Sequence, residues 1–156
     1  MFIPSAKRAT HNSRGQSLAE FAVVFPILML VLGGIIQFGL IFWGQNTLTQ
    51  IVRDTGRWAS TQQNCADTSA NKQLVVDRAN LLAASSSLVG YDSATPWTLG
   101  NVTVSWNGTP CPPVDNTTAA FVVIEVTHSV PIFFPSIPGA GELSSSAEFR
   151  MEPKPK

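Results

Sequence analysis

The clearest hydrophobic pattern in the chain is an apolar run near its start. Residues 21–43 read FAVVFPILMLVLGGIIQFGLIFW, without a formal charge and with one polar side chain, Gln37. As a helix rising about 1.5 Å per residue, the run extends about 35 Å, enough to cross a hydrocarbon core about 30 Å thick. The pattern therefore predicts a membrane-spanning helix. The alternative is a cleaved secretory signal, whose apolar region is shorter, about 7 to 15 residues, and ends at small residues. Trp43-Gly44-Gln45-Asn46 offers no such site.

Helical periodicity continues beyond this run. At helical spacing, apolar and small side chains fall on one face and polar side chains on the rest of the surface. The predicted stripe comprises Leu48, Ile51, Val52, Thr55, Trp58 and Ala59. The polar positions are Asn46, Gln50, Arg53, Asp54 and Arg57. We therefore predict one helix over residues 16–60, half in lipid and half in water. In the half outside the membrane, other parts of the protein must pack on the apolar stripe to remove it from water.

A second helix and three strands are predicted to follow. The helix covers residues 71–87, with Ser69 as its cap. Its predicted apolar side comprises Leu74, Val75, Arg78, Leu81, Leu82 and Ser85. Period-two alternation predicts strands within residues 99–107 and 143–152, and the run FVVIEV within residues 119–130, apolar on both faces, predicts a central strand.

These elements predict the α+β fold class: a long N-terminal transmembrane helix that continues into a small head with a second helix and a short antiparallel sheet. The predicted organisation is a leader over residues 1–15, the N-terminal helix over 16–60 and an extracytoplasmic head over 61–156. Between the last two strands, residues 131–141 read PIFFPSIPGAG, in which three prolines interrupt regular pairing. This loop either packs over the core or lies on a neighbour or the membrane, and packing over the core is the simpler interpretation.

Charge predicts the orientation of the span. Lys7, Arg8 and Arg14 precede it, whereas the first charges after it begin at Arg53. The positive-inside bias therefore places the N-terminus in the cytoplasm and exports the head. In an oxidising compartment, the even cysteine count favours a disulfide between Cys65 and Cys111 over two buried, unpaired thiols.

Composition argues against several classes of function. Lys and Arg total 10 and so do Asp and Glu, which leaves no excess of basic residues to neutralise phosphates, so we expect no nucleic-acid partner. The two histidines are His11, in the leader, and His128, which we expect to be a partly exposed strand residue. No catalytic motif accompanies them, so we expect neither an enzyme nor a metal or other cofactor.

The most informative residues stand between the basic leader and the apolar run. Gly15-Gln16-Ser17-Leu18-Ala19-Glu20-Phe21 places a glutamate five positions after a glycine and an aromatic residue directly after the glutamate. This resembles the type IV prepilin signal. The short leader, RGQSLAEF, the early Pro26 and the closing SSSAEFRMEP resemble, within that superfamily, the TadE-like minor pseudopilins of the tight-adherence (Tad/Flp) pilus.

The resemblance implies a subunit that crosses the bacterial cytoplasmic membrane once and assembles with other pilins and the pilus machinery for adhesion or export. The subunit would reside in that membrane or in the extracellular pilus. It implies that a prepilin peptidase cuts between Gly15 and Gln16. It also implies that Glu20 neutralises the α-ammonium that cleavage creates on an adjacent subunit. Phe21, directly after Glu20, is a further predicted assembly residue. Membrane lipid is the remaining expected partner.

Another interpretation of the same residues stays open. Ser17-x-x-Glu20 is also a capping box, in which Glu20 bonds free amides of the first helical turn. The chain would then be a signal-anchored extracytoplasmic binding domain unrelated to pili.

Within the span, Gly33, Gln37 and Gly44 fall near one helix face, where small residues allow a second helix to approach and Gln37 to form a hydrogen bond to that helix. We therefore expect Gly33 and Gln37 to contribute to subunit assembly.

Overall fold

The computed structural model describes residues 13–62, 67–108, 110–115, 119–133 and 141–153. Its elements are helix α1 (Ser13–Ser60), helix α2 (Ser69–Ser85) and strands β1 (Val102–Asn107), β2 (Phe121–Ser129) and β3 (Glu142–Arg150). The predicted α+β class is confirmed. The chain forms two compact units, Met1–Ile36 and Gln37–Lys156, and α1 contributes residues to both.

The sheet of the second unit has the order β1-β2-β3, with both pairs antiparallel. Ile124 at its centre pairs with Val104 on one side and with Ala147 on the other. The prediction that the FVVIEV segment forms the central strand is therefore confirmed. Because side chains alternate across a strand, one face of the sheet is buried and the other faces water. The buried positions of β2 are Val122, Ile124, Val126 and His128.

The carboxyl half of α1 lies against β3, which runs beside it in the same direction. Successive contacts join Gly44 to Leu143, Gln45 to Ser144, Thr49 to Ser145, Gly56 to Phe149 and Ser60 to Glu152. The predicted stripe covers this side of α1: Leu48, Ile51, Val52, Thr55 and Ala59 are buried. Since the same buried cluster includes residues of α1, α2 and all three strands, the second unit has one main core.

Helix α2 begins at Ser69, the residue predicted to be its cap, so the true cap lies one position earlier. Thr68 is the N-cap, and its hydroxyl accepts a hydrogen bond from the N–H of Asn71 at 3.3 Å. The predicted apolar face is wrong in part, because Leu74 is 57% exposed and Leu81 60% exposed. The buried side instead comprises Asn71, Val75, Val76, Ala79 and Ala83. These shorter side chains allow the helix backbone to approach the core closely.

Candidate functional site

The amino part of α1 exposes apolar side chains on all sides. Those in the first unit include Leu18, Phe21, Val23, Val24, Phe25, Ile27, Leu28, Leu30, Ile35 and Ile36. A helix that is apolar all round belongs in a protein core or a membrane, not in water. The helix is long and apolar enough to cross a membrane, and it fits a single-pass membrane anchor. Pro26 lies inside it, as membrane helices tolerate.

Glu20 introduces a carboxylate at the start of this apolar segment. Its Oε1 accepts a hydrogen bond from Nε2 of Gln16 at 3.4 Å, and both side chains are exposed. The contact shows that the two residues share one helix face, one turn apart. Since α1 begins at Ser13, Ser17 lies in its second turn rather than at its N-cap. In the full-length chain, Ser17 and Glu20 therefore do not form a capping box at the helix start.

The proposed cleavage position carries no packing constraint. A Cβ added to Gly15 meets no described atom within 4 Å outside its own helical neighbourhood. Glycine is therefore not needed at this position for packing. Beyond it, the rings of Phe21 and Phe25 stack at a centroid distance of 5.3 Å, again one helical turn apart. The predicted processing residues Gly15 and Gln16 and the predicted assembly residues Glu20 and Phe21 all lie on the first three turns of α1.

Gln37 holds a segment of its own chain. Its side chain is 0% exposed. The Nε2 group donates to the carbonyl of Pro131 at 3.3 Å, and Oε1 accepts from the N–H of Phe133 at 3.0 Å. One amide thus satisfies two backbone groups on either side of Ile132. A role for Gln37 in bonding a second subunit stays a prediction.

The small residues of the span have different surroundings. Gly33 is buried. Gly44 is also buried, and a Cβ there would lie 3.0 Å from Cδ1 of Leu143 and 3.7 Å from Cγ2 of Val130. A Cβ added to Gly34 or Gly39 would meet no atom of the described residues within 4 Å. Close approach at Gly44 therefore serves packing within the chain, and an assembly role of Gly33 stays a prediction.

Only one cysteine of the predicted disulfide can be located, because Cys65 lies outside the described residues. Cys111 is half-buried, and its Sγ lies 3.3 Å from Sδ of Met151. Ala120 and Met151 form a small buried cluster there, against which Trp106 and Cys111 pack. The disulfide stays a prediction.

His128 is a core residue rather than a partly exposed one. It is 7% exposed. The indole N–H of Trp97 donates to Nδ1 at 3.3 Å, so Nε2 carries the proton and donates to the carbonyl of Val89 at 2.8 Å. Both ring nitrogens therefore already have partners, which leaves neither for a metal or for proton transfer to a substrate.

A second hydrogen-bond network beside His128 supports the connection between α2 and β1, residues 86–101, which contains Val89 and Trp97. The hydroxyl of Tyr91 and the backbone N–H of Trp97 both donate to Oδ1 of Asn80, at 3.1 and 2.9 Å. Burial, and secondarily the negative charge of Asp92, raises the pKa of Tyr91 above its ordinary value. The phenol thus keeps the proton that it donates. Among the residues that the structure describes, no cluster of three His, Cys, Asp or Glu side chains is arranged to hold a metal ion.

The amino part of α1 thus combines an exposed apolar surface with the carboxylate of Glu20, and the buried amide of Gln37 follows in the same helix. Comparison with known proteins points to the same element. Residues 15–57 match the family model of TadE-like proteins. The match begins at Gly15 and ends inside α1, so the TadE-like segment includes the processing motif, the apolar span and most of the stripe.

The resemblance to TadE-like proteins is thus confirmed for this segment, and it is consistent with a TadE-like pilin of the Tad pilus system. The TadE-like family is not an enzyme family. Neither the curated proteins nor the solved structures contain a significant match to the chain.

The contact between Gln37 and residues 131–133 is not predicted by the sequence. Packing over the core, the simpler of the two interpretations of that loop, stays a prediction, with Pro131, Ile132 and Phe133 exposed in the described part. Residues 134–140 lie outside the described residues. The one signal in the sequence was the presence of a single amide in an otherwise apolar run, because a buried amide needs partners for both its oxygen and its N–H groups.

Proposed function

We propose that this chain is a membrane-anchored minor pilin or pseudopilin that assembles with other pilins in a Tad-type pilus or secretion apparatus. The observation that carries the proposal is the family match over residues 15–57, which coincides with an exposed apolar helix headed by Glu20. The exposed apolar surface needs lipid before assembly and other apolar helices afterwards. Both environments are available to a pilin.

Processing is the first part of the proposed function. A prepilin peptidase cuts between Gly15 and Gln16, and the basic residues Lys7, Arg8 and Arg14 keep the leader on the cytoplasmic side. The head is then exported. Support for the cut comes from the sequence motif. A protease must hold its substrate in an extended conformation, and Gly15, although it lies in α1 here, leaves a helix more readily than other residues do.

Assembly is the second part. Cleavage produces an α-ammonium on Gln16, one turn from Glu20 on the same helix face. In a bundle of pilin helices, the carboxylate of Glu20 neutralises the ammonium of an adjacent subunit. A charge in hydrocarbon is costly unless it is paired, so each group favours the subunit arrangement that supplies its partner.

N-terminal sequencing of the protein extracted from membranes tests the proposal. We expect the mature chain to start at Gln16. An intact leader on membrane-inserted protein, in cells with an active prepilin peptidase, would overturn the pilin proposal and favour a signal-anchored extracytoplasmic binding domain. Co-purification of other pilins from detergent-solubilised membranes would then identify the assembly partners of the processed form.

A further inference from the structure

A short apolar segment of the head is fixed beside the membrane helix. The backbone carbonyl of Pro131 and the N–H of Phe133 are both bonded to the amide of Gln37, which is fully buried. Ile132, between them, is 44% exposed, and Phe133 is 64% exposed. The segment is therefore held by its backbone while its two large apolar side chains face outward.

The position of Gln37 along α1 gives the level of this segment. Gln37 precedes Trp43 by six positions, which corresponds to about 9 Å along a helix. Trp43, 59% exposed, ends the apolar run, where tryptophan typically marks the boundary between hydrocarbon and water. Counted from Trp43, the contact with Pro131 and Phe133 lies on the hydrocarbon side of that boundary.

Neighbouring exposed side chains of the second unit have the same character. Phe38 is 60% exposed and Phe42 is 72% exposed. Two large, exposed phenylalanines one turn apart on a helix would be unfavourable in water. In a bilayer they are favourable, because phenylalanine transfers readily into hydrocarbon, with Trp43 at its boundary.

The hydrogen bonds of Gln37 also suit an apolar environment. Hydrocarbon offers no hydrogen-bond partners, so a backbone polar group that approaches it from an irregular segment needs a partner within the protein. The two backbone groups that flank Ile132 have such partners, and the amide of Gln37 is satisfied by the same bonds. No formal charge occurs in residues 131–141. The segment can therefore present apolar side chains to lipid while the backbone polar groups on either side of Ile132 keep their hydrogen bonds to Gln37.

We propose that Ile132 and Phe133 insert into the bilayer beside α1 and form a second membrane contact of the head, with lipid acyl chains as their partner. The inference rests on the proposed membrane anchoring by α1. Before assembly, the head is then held against the membrane at two places, by the helix and by this segment, which restricts the orientation in which it meets other subunits.

Photo-crosslinking to lipid tests the insertion. Benzoylphenylalanine replaces Phe133 in the full-length protein, which is reconstituted in vesicles of phosphatidylethanolamine and phosphatidylglycerol and irradiated. Mass spectrometry then identifies lipid and protein adducts. Two matched positions carry the same probe: Phe42, an exposed residue of the apolar run, and Val114, an apolar head residue that is 66% exposed and outside both α1 and the 131–133 segment.

We expect lipid adducts at positions 133 and 42 and at least tenfold fewer at position 114. Lipid adducts at 42 without lipid adducts at 133 would overturn the insertion and leave the anchor intact. Adducts from 133 to a second protein molecule in place of lipid would also overturn it, in favour of a subunit interface. A lack of lipid adducts at 42 would instead refute the anchoring on which the inference rests.

Discussion

The ring of Phe149 on β3 packs directly on Gly56 of α1. A Cβ added to Gly56 would overlap the ring atoms Cδ2 and Cε2. Gly56 is buried and Phe149 half-buried, and both lie where the stripe of α1 meets the sheet. A glycine in a helix interior costs stability relative to alanine, so its presence at this contact indicates that the close approach of helix and ring outweighs that cost.

We predict that Gly56→Ala destabilises the head by about 1 kcal/mol. Overpacking a core costs about 1 to 3 kcal/mol, against which alanine returns about 1 kcal/mol of helix propensity. Thermal unfolding of the detergent-solubilised protein measures the change. Gly39→Ala is the matched control, because a Cβ there meets nothing within 4 Å, and its melting temperature should stay equal or rise. Adding Phe149→Ala should reduce the penalty of Gly56→Ala, and full additivity of the two changes would contradict the contact.

Alternation predicted β1 and β3 because one face of the sheet is buried and the other is wet, whereas the apolar run FVVIEV predicted the central strand β2. The face of α2 was harder to predict. Hydrophobicity alone favours Leu74 and Leu81 over Ala79 and Ala83, but the short alanines allow close helix packing and the leucines remain exposed. The partners of Gln37 lie 94 and 96 positions away, and no local pattern encodes a contact at that separation.

Gln37→Leu should release the segment around Ile132. The substitution keeps the apolar character of the run but leaves the carbonyl of Pro131 and the N–H of Phe133 without their described partner, at a cost of about 1 to 3 kcal/mol. We expect hydrogen exchange at the Phe133 amide to accelerate by roughly tenfold or more. Gln45→Leu is the control, since Gln45 donates instead to the carbonyl of Ser144 at 2.9 Å. Equal exchange at Phe133 in wild type and Gln37→Leu would contradict the hydrogen bond.

Cys65 and Cys111 are predicted to form an intramolecular disulfide. Closure of the loop between them should stabilise the head by roughly 3 to 4 kcal/mol in the chain-entropy model. Peptide mapping of protein isolated from the cell envelope, without reductant, should detect one linked pair, and reduction should lower the melting temperature. Free thiols at both positions would remove the disulfide and weaken the predicted export of the head.

Replacement of Gly15 by valine should block removal of the leader while insertion continues. The apolar run is unchanged, and a side chain at position 15 has open space around it, so a failure to mature would reflect recognition by the peptidase and not misfolding. Gly34→Val is the matched control, because Gly34 lies in the same helix and also has nothing within 4 Å. Electrophoretic mobility of membrane-extracted protein separates precursor from mature chain. Normal maturation of Gly15→Val would argue against prepilin processing.

Glu20→Gln separates a local role of Glu20 from a role in assembly. The glutamine side chain still has an oxygen that accepts the bond from Gln16, described at 3.4 Å for Glu20, so a local role predicts a loss of no more than about 0.2 to 0.5 kcal/mol, the size of an exposed side-chain pair one helical turn apart. A role in neutralising an ammonium on an adjacent subunit predicts a much larger effect. The substitution then leaves a cation unpaired at low dielectric, which costs several kcal/mol on assembly alone.

We therefore expect the Glu20→Gln protein to be inserted and cut after Gly15, yet to fail to associate with partner pilins. Crosslinking in intact cells at matched expression measures the association. Glu148→Gln removes an exposed carboxylate of β3 and serves as the control, with crosslinking at the wild-type level. Glu20→Asp keeps the charge on a shorter side chain and should recover part of the association, since the ammonium again has an anion nearby. Wild-type crosslinking by Glu20→Gln would show that assembly does not depend on the charge of Glu20, and its role would then be confined to the first turns of α1.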